Sequence, residues 1–272
     1  MATLQEIKKI RIQHLAQAKA AGEKVTMLTA YDRPTAAIFD GAGIDVLLVG
    51  DSMGNAMLGY NDTLPVTLDD CVRATRAVAA GVNRALVVAD LPFGTYEASP
   101  ERCFDSAVAL MKVGAEAAKF EGGERVAPQI KLLSEAGIPV MAHLGFTPQS
   151  VNTLGGNRVQ GRDQESAQRL MDDALAVQDA GAFALVLELV PAEVAAAVTK
   201  ALRIPTIGIG AGAATDGQVL VWTDMAGMGG PGSWQPSFVK RFGEVGAALH
   251  DAASAYASAV RLGGYPDQDH SF

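Results

Sequence analysis

The stretch IPTIGIGAGAATDGQVLVWTD (204–224) decides between two folds. It opens on an apolar run, passes through glycines at 208, 210 and 212, and enters a second apolar run. Read as G-x-G-x-x-G, it would be the phosphate-binding turn of an open, doubly wound sheet, with its glycines opening a full helix. Position 213 is alanine, however, and only AGAATD (211–216) separates the two runs, too little for a crossover helix. We read GIGAG as a glycine-rich barrel loop between a seventh and an eighth strand, with the open sheet as the competing fold.

Six further runs lie upstream: VTMLTA (25–30), DVLLVG (45–50), ALVVAD (85–90), AEAAKFE (115–121), IPVMAHL (138–144) and FALVLEL (183–189). Most are short and almost continuously apolar, as parallel strands buried on both faces should be. Helix signals separate them. Thr67 with Asp70 resembles a capping box, and Ser99-Pro100 reads as an N-cap followed by proline at the first helical position. Gly81, Gly114, Gly137 and Gly181 mark helix ends just ahead of strands. Eight such units predict an α/β fold, a (β/α)8 barrel with an irregular seventh unit. Residues 1–24 read as an N-terminal helix with Leu4, Ile7, Ile10 and Leu15 near one face, and residues 236–262 as the last helix. All 272 residues are expected in a single barrel domain.

Composition narrows the function. The chain is 49% hydrophobic and 19% charged, with a net charge of −8, which argues against nucleic acid or an anionic membrane as main partner. A small anionic substrate remains compatible, because a local site can be basic on an acidic surface. The two cysteines, Cys71 and Cys103, fall in helix-like segments and form neither a metal-ligand spacing nor a disulfide framework. The first 24 residues lack the apolar stretch of an export signal, and no run approaches membrane-spanning length. A cytoplasmic protein is the expectation.

In a barrel the active site sits at the C-terminal ends of the strands. There the chain carries Asp51 and Ser52 after strand two, Asp90 on strand three, Lys119 and Glu121 on strand four, His143 on strand five and Glu188 on strand six. Each alone has a structural reading. Asp51-Ser52 could cap a helix, Asp90 could form a turn, Lys119 could pair with Glu121, and His143 could be a satisfied core histidine. Glu188 resists that treatment, since an unpaired carboxylate in an apolar strand is costly to bury. Charged groups on five consecutive strands at one end point to a catalytic site. Alternation puts Lys119 and Glu121 on one face, likewise Val49 with Asp51 and Val88 with Asp90, while Leu187 and Leu189 face the helices and Glu188 the interior. The segments 54–67 and 145–162 are longer than ordinary βα loops and rich in Gly and Asn, as lids are. Within the second, Arg158 and Arg162 could meet an anion or be merely solvated.

These residues resemble a known family. TAYD (29–32), LVGDSMG (48–54), TLPVT (63–67), ADLPF (89–93), KFEGGE (119–124), AHLGFTPQS (142–150), VQGR (159–162), LELVP (187–191) and IGIGAG (207–212) are similar to the 3-methyl-2-oxobutanoate (ketopantoate) hydroxymethyltransferases. The resemblance implies hydroxymethyl transfer from 5,10-methylenetetrahydrofolate to 3-methyl-2-oxobutanoate, giving 2-dehydropantoate for pantothenate synthesis through a metal-stabilised enolate. It implies magnesium held by Asp51, Asp90 and Glu121, keto acid bound by Asp51, Ser52, Asp90, Lys119 and His143, and Glu188 as proton acceptor. It also implies a homodecamer, a pentamer of dimers. The segment 225–242 departs from the pattern, with Pro236-Ser237-Phe238 where the family often has Pro-Lys-Phe.

Elementary chemistry agrees. A 2-oxo acid offers a carboxylate and a ketone oxygen to a hard cation, and Asp, Glu and water suit magnesium. Glu188 among leucines should have a raised pKa. Two rivals stand beside this reading. One is another magnesium-dependent 2-oxo-acid lyase or mutase of the phosphoenolpyruvate mutase/isocitrate lyase type, whose lyases need a cysteine on a mobile loop. The other is a non-catalytic barrel that senses a keto acid.

Overall fold

The runs read as strands form one closed, all-parallel barrel in sequential order: β1 Val25–Thr29, β2 Val46–Val49, β3 Leu86–Asp90, β4 Ala117–Glu121, β5 Val140–Gly145, β6 Ala184–Glu188, β7 Thr206–Ile209 and β8 Gly217–Leu220. The computed structural model describes residues 3–272 apart from Pro231 and Trp234. It divides into two compact units, one ending at Leu220 and the other Val221–Phe272. No helix among the described residues is long and apolar enough to cross a membrane.

The register shows which side chains point inward. Thr26 and Gln218 are exposed and are partners across the β1–β8 seam, so their parity faces out. Val25, Met27, Gly217 and Val219 therefore face in. Following the register around the ring puts Val46 and Leu48, then Val88 and Asp90, Lys119 and Glu121, His143, and Val186 and Glu188 on the inner face. Closure needs a glycine at 217, where a Cβ would lie 2.5 Å from the Val25 carbonyl oxygen and 2.7 Å from Ile207 Cδ1.

The helix signals hold. Thr67 and Asp70 cap reciprocally, with Thr67 N–H donating to Asp70 Oδ2 at 3.0 Å and Asp70 N–H to Thr67 Oγ at 3.2 Å. Ser99 accepts from Arg102 N–H at 3.2 Å. No helix lies between β7 and β8, so the seventh unit is irregular as expected. The eighth strand ends at Leu220 rather than running to 224, and Trp222–Met225 form a single helical turn. Of the first 24 residues, Leu4–Glu6 form a 3-10 turn and only Ile12–Ala21 an α-helix. Ile10 and Leu15 are nonetheless wholly buried, each worth roughly 1.5–3 kcal/mol.

The N-terminal ends of the strands carry a charge pattern that hydrophobic periodicity does not announce. Asp45, Glu116 and Asp216 stand just ahead of β2, β4 and β8, and accept from the backbone N–H of Thr26, Val87 and Thr206 on the preceding strands. Each is paired with a cation: Arg84 on Asp45 at 2.8 Å, Lys9 on Glu116 at 2.6 Å and Lys19 on Asp216 at 2.8 Å. The N-terminal segment is thereby pinned to the floor of the barrel.

In the second unit the helix expected over 236–262 spans Val245–Arg261. None of its residues is buried, and Val245, Leu249, Tyr256 and Val260 form an exposed stripe at helical spacing. Within the divergent segment 225–242, Pro231 and Trp234 lie outside the described residues, while Arg241 donates to Ser233 Oγ at 2.7 Å and Gln235 Oε1 at 2.5 Å.

Candidate active site

The five strand-borne groups converge because register makes neighbours of them. Asp90 is the partner of Lys119, Glu121 of His143, and Gly145 of Glu188. Lys119 Nζ donates to Asp90 Oδ1 at 2.7 Å, both side chains being buried. His143 stands between two carboxylates, with Nδ1 3.7 Å from Glu121 Oε1 and Nε2 3.2 Å from Glu188 Oε2. Lys119 and Glu121 share a face, yet Lys119 pairs across the strands with Asp90 and forms no ion pair with Glu121 among the described residues.

Asp51 arrives by a different route. Inward parity on β2 belongs to Val46 and Leu48, so Val49 does not share an inner face with Asp51. The strand stops at Val49, and the turn through Gly50 carries Asp51 over the barrel mouth. There its N–H donates to Asp90 Oδ2 at 3.1 Å. A Cβ on Gly50 would lie 2.7 Å from Ser52 Oγ and 3.4 Å from Asp90 Oδ2, so a side chain there would push the Ser52 hydroxyl aside. Ser52 does not cap the one-turn helix Met53–Ala56 with its side chain; its hydroxyl is 2.9 Å from the Tyr31 hydroxyl.

Leu189 also leaves the expected strand pattern. β6 ends at Glu188, and Leu189 adopts φ 47°, a left-handed conformation costing about 1–2 kcal/mol for a non-glycine residue. Three backbone bonds hold this corner: Phe146 N–H to Glu188 O at 2.7 Å, Leu189 N–H to Ile209 O at 2.9 Å, and Gln160 N–H to Leu189 O at 2.8 Å. Glu188 is thus fixed at the rim. Arg158 and Arg162 lie exposed on the long loop after β5.

Two residues not singled out from the sequence occupy the centre. Gln149, on the 3-10 turn Pro148–Ser150, donates through Nε2 to Asp51 Oδ2 at 2.8 Å and to Leu91 O at 3.0 Å. Its backbone N–H donates to Glu121 Oε2 at 3.1 Å. Tyr96 donates its hydroxyl to Gln149 Oε1 at 2.7 Å and accepts from Glu121 N–H at 3.3 Å. The only advance signal was Gln149's presence in the stretch AHLGFTPQS.

Burial governs the electrostatics. Asp51 is pushed up to about 7 by burial and then by the charge of Asp90, against Lys119 and the Gln149 hydrogen bond. Glu121 is held well above the carboxylate range by burial and then by Asp51. Glu188 is pushed up to about 8, chiefly by burial. For Lys119 burial acts to lower the pKa, but the charges of Asp90, Asp51 and Glu121 prevail and raise it. His143 is driven well below its usual value by burial and then by Lys119, so its imidazole is neutral near pH 7. Both thiols lie buried in helices and resist ionisation, Cys103 being pushed up to about 12 and Cys71 raised well above its usual value, chiefly by burial.

The arrangement suits a hard dication. Four carboxylates face one lysine, and Asp51 and Asp90 are adjacent, all with oxygen donors. No group of three acidic, His or Cys side chains among the described residues forms a ready cage. Magnesium commonly takes one or two carboxylates and completes its shell with water and substrate.

The profile described as Ketopantoate hydroxymethyltransferase matches residues 9–268. A 3-methyl-2-oxobutanoate hydroxymethyltransferase of Rhodococcus jostii (strain RHA1) is 58% identical over 97% of this chain and 91% of its own. Its counterpart in Streptomyces coelicolor (strain ATCC BAA-471 / A3(2) / M145) is 56% identical over 97% and 90%.

The chain belongs to the ketopantoate hydroxymethyltransferase family.

As a member of that hydroxymethyltransferase family it is an enzyme, which removes the sensor reading. Among solved structures, a phosphonopyruvate hydrolase bound to oxalate and Mg++ superposes with a TM-score of 0.61 at 14% identity, covering 96% of this chain and 93% of its own. A 2,3-dimethylmalate lyase of the PEP mutase/isocitrate lyase superfamily gives 0.59 at 20% identity, covering 100% and 92%. At that identity the likeness concerns the fold, a (β/α)8 barrel. The chain shares that barrel with these two proteins, and its own two cysteines are buried in helices.

Proposed function

We propose that the protein transfers a hydroxymethyl group from 5,10-methylenetetrahydrofolate to C3 of 3-methyl-2-oxobutanoate, giving 2-dehydropantoate and tetrahydrofolate. The observation that carries this reading is the juxtaposition, at one barrel mouth, of a partly buried Glu188 with the buried Asp51, Asp90 and Lys119. Asp51 and Asp90 would hold magnesium, with Glu121 acting on it through water. When bound, the cation would polarise the ketone and offset charge developing on its oxygen.

The chain's own groups supply the rest. Lys119 offsets the negative charge of the keto acid, and Ser52, oriented by Tyr31, binds it. Glu188 accepts the C3 proton; a pKa near 8 makes it a stronger base than an ordinary carboxylate, and neutralising it relieves the cost of burial. Neutral His143 lies against the substrate, with its Nε2 3.2 Å from Glu188 Oε2. C3 then attacks the methylene that bridges two folate nitrogens as one carbon–nitrogen bond opens. Water replaces the second nitrogen and provides the hydroxyl oxygen, and the two nitrogens of tetrahydrofolate take up the proton held by Glu188 and one from the water. The long loops after β2 and β5 limit earlier entry of water.

We further propose a cytoplasmic homodecamer, a reading that the exposed apolar stripe of the helix Val245–Arg261 supports through its need for cover.

The decisive experiment incubates the protein with magnesium and both substrates and looks for 2-dehydropantoate by mass spectrometry. Product is expected only with folate present. Cleavage or rearrangement of the keto acid without folate would overturn the transferase reading in favour of lyase chemistry.

A further inference from the structure

We infer that Gln149 is a positioning residue that aims the Asp51 carboxylate and anchors Glu121, and that Tyr96 fixes the orientation of the Gln149 amide. This rests on the proposed metal and keto-acid site. Gln149 and Tyr96 are 6% and 1% exposed, so their polar atoms have no bulk water to fall back on.

The amide orientation follows from its neighbours. Leu91 O is an acceptor only, and the Asp51 carboxylate accepts when ionised, so the group facing both must be the NH2. On the other side, the Tyr96 oxygen already accepts from Glu121 N–H, which leaves its hydroxyl hydrogen for Gln149 Oε1. A flipped amide would set oxygen against the Leu91 carbonyl and the Asp51 carboxylate and lose the Tyr96 bond.

The consequence concerns both carboxylates. Asp51 sits on a turn beyond the end of β2, so strand geometry does not fix its side chain. Gln149 Nε2 holds Asp51 Oδ2, and the backbone N–H of the same residue holds Glu121 Oε2. One residue, carried on the loop after β5, therefore couples carboxylates from the β2 turn and β4. Removing the amide would let the Asp51 carboxylate rotate toward Lys119 without disturbing the barrel.

The test compares Gln149→Leu, Gln149→Glu and Tyr96→Phe with the wild type. Readouts are Mn2+ binding by electron paramagnetic resonance without substrate, kcat and KM for each substrate, and melting temperature. For Gln149→Leu, Mn2+ affinity and kcat should each fall roughly 10–100-fold, the usual cost of losing a group that orients a ligand. KM for the folate should stay within about twofold and melting within a few degrees. Tyr96→Phe should give a smaller loss of the same kind, and should add nothing in the Gln149→Leu background. Wild-type Mn2+ affinity and kcat in Gln149→Leu would overturn the inference. Should Gln149→Leu fail to fold, wild-type values in Tyr96→Phe together with Gln149→Glu would overturn it equally. If the wild type itself binds no Mn2+, the metal reading falls, and an unchanged kcat in Gln149→Leu then refutes positioning on its own.

Discussion

His143 Nε2 lies 3.2 Å from Glu188 Oε2, and the same imidazole's Nδ1 lies 3.7 Å from Glu121 Oε1. A single neutral ring therefore separates the carboxylate we assign to proton transfer from the one we assign to the cation's surroundings. A neutral imidazole carries one N–H and can donate to only one of the two. In the proposed reading, that separation sets Glu188 apart from the carboxylates assigned to the metal.

The first prediction isolates that base. In heavy water, the protein with magnesium and 3-methyl-2-oxobutanoate should exchange the C3 hydrogen for deuterium, read by proton NMR. Glu188→Gln should slow exchange by roughly 10²–10⁴, the range for a general base, while keto-acid binding persists. An undiminished rate in the variant would transfer the role to another group, His143 first.

Metal dependence is assigned to the Asp51–Asp90 pair. Asp51→Ala and Asp90→Ala should each abolish saturable Mn2+ binding and lower turnover at least roughly 10²-fold, with keto-acid affinity lost alongside. Chelation by EDTA should reproduce the loss in the wild type, and added magnesium should reverse it. Magnesium-dependent turnover at the normal rate in either variant would remove that residue from the site.

Lys119 should serve binding and stability together. Lys119→Ala leaves Asp90 buried without its partner, an arrangement that typically costs about 3–5 kcal/mol. The variant should melt lower and show a raised KM for the keto acid. A double-mutant cycle should couple Lys119 to Asp90 more strongly than to Glu121. Stronger coupling to Glu121 would contradict the pairing described above.

The raised carboxylates set a pH dependence with a definite sign. Asp51 shifts from 3.8 to about 7 and Glu188 from 4.5 to about 8, so the folded protein holds protons that the unfolded chain has released. Metal-free stability should therefore fall as pH rises from about 4 to about 8. Each kcal/mol lost lowers the melting temperature by roughly 2–4 °C. Magnesium should raise melting more at pH 8 than at pH 6, and Asp51→Asn should flatten the metal-free profile. A metal-free melting temperature that climbs across this window would contradict the assignment.

The floor of the barrel provides a control. Lys19→Ala removes a partner of Asp216 and a donor to the Thr199 carbonyl. It should cost about 1.5–3 kcal/mol, as loss of a charged hydrogen bond does, and leave kcat unchanged. A fall in kcat without loss of stability would mean that the two ends of the barrel are coupled.

Much of this was legible in the chain. Apolar runs of strand length, caps such as Thr67–Asp70, and the short spacing between residues 209 and 217 are local features, and they predict eight strands and an irregular seventh unit. Alternation along β4 alone puts Lys119 and Glu121 on one face. These signals depend on residues within a few positions of one another, which is why sequence carries them.

The pairings belong to the tertiary structure. Lys119 pairs with Asp90 rather than Glu121 because the β3–β4 register sets Asp90 directly opposite. Asp51 reaches the site through the turn at Gly50, since inward parity on β2 falls to Leu48, which is known only once the ring closes. Gln149 meets Asp51 across 98 residues of sequence, and Lys19 meets Asp216 across 197. A hydrogen bond depends on distances of a few tenths of an ångström between groups that no local periodicity relates. The sequence by itself therefore determined which charged groups would stand at the strand ends, and closure of the barrel decided which of them hold one another and brought Gln149 and Tyr96 among them.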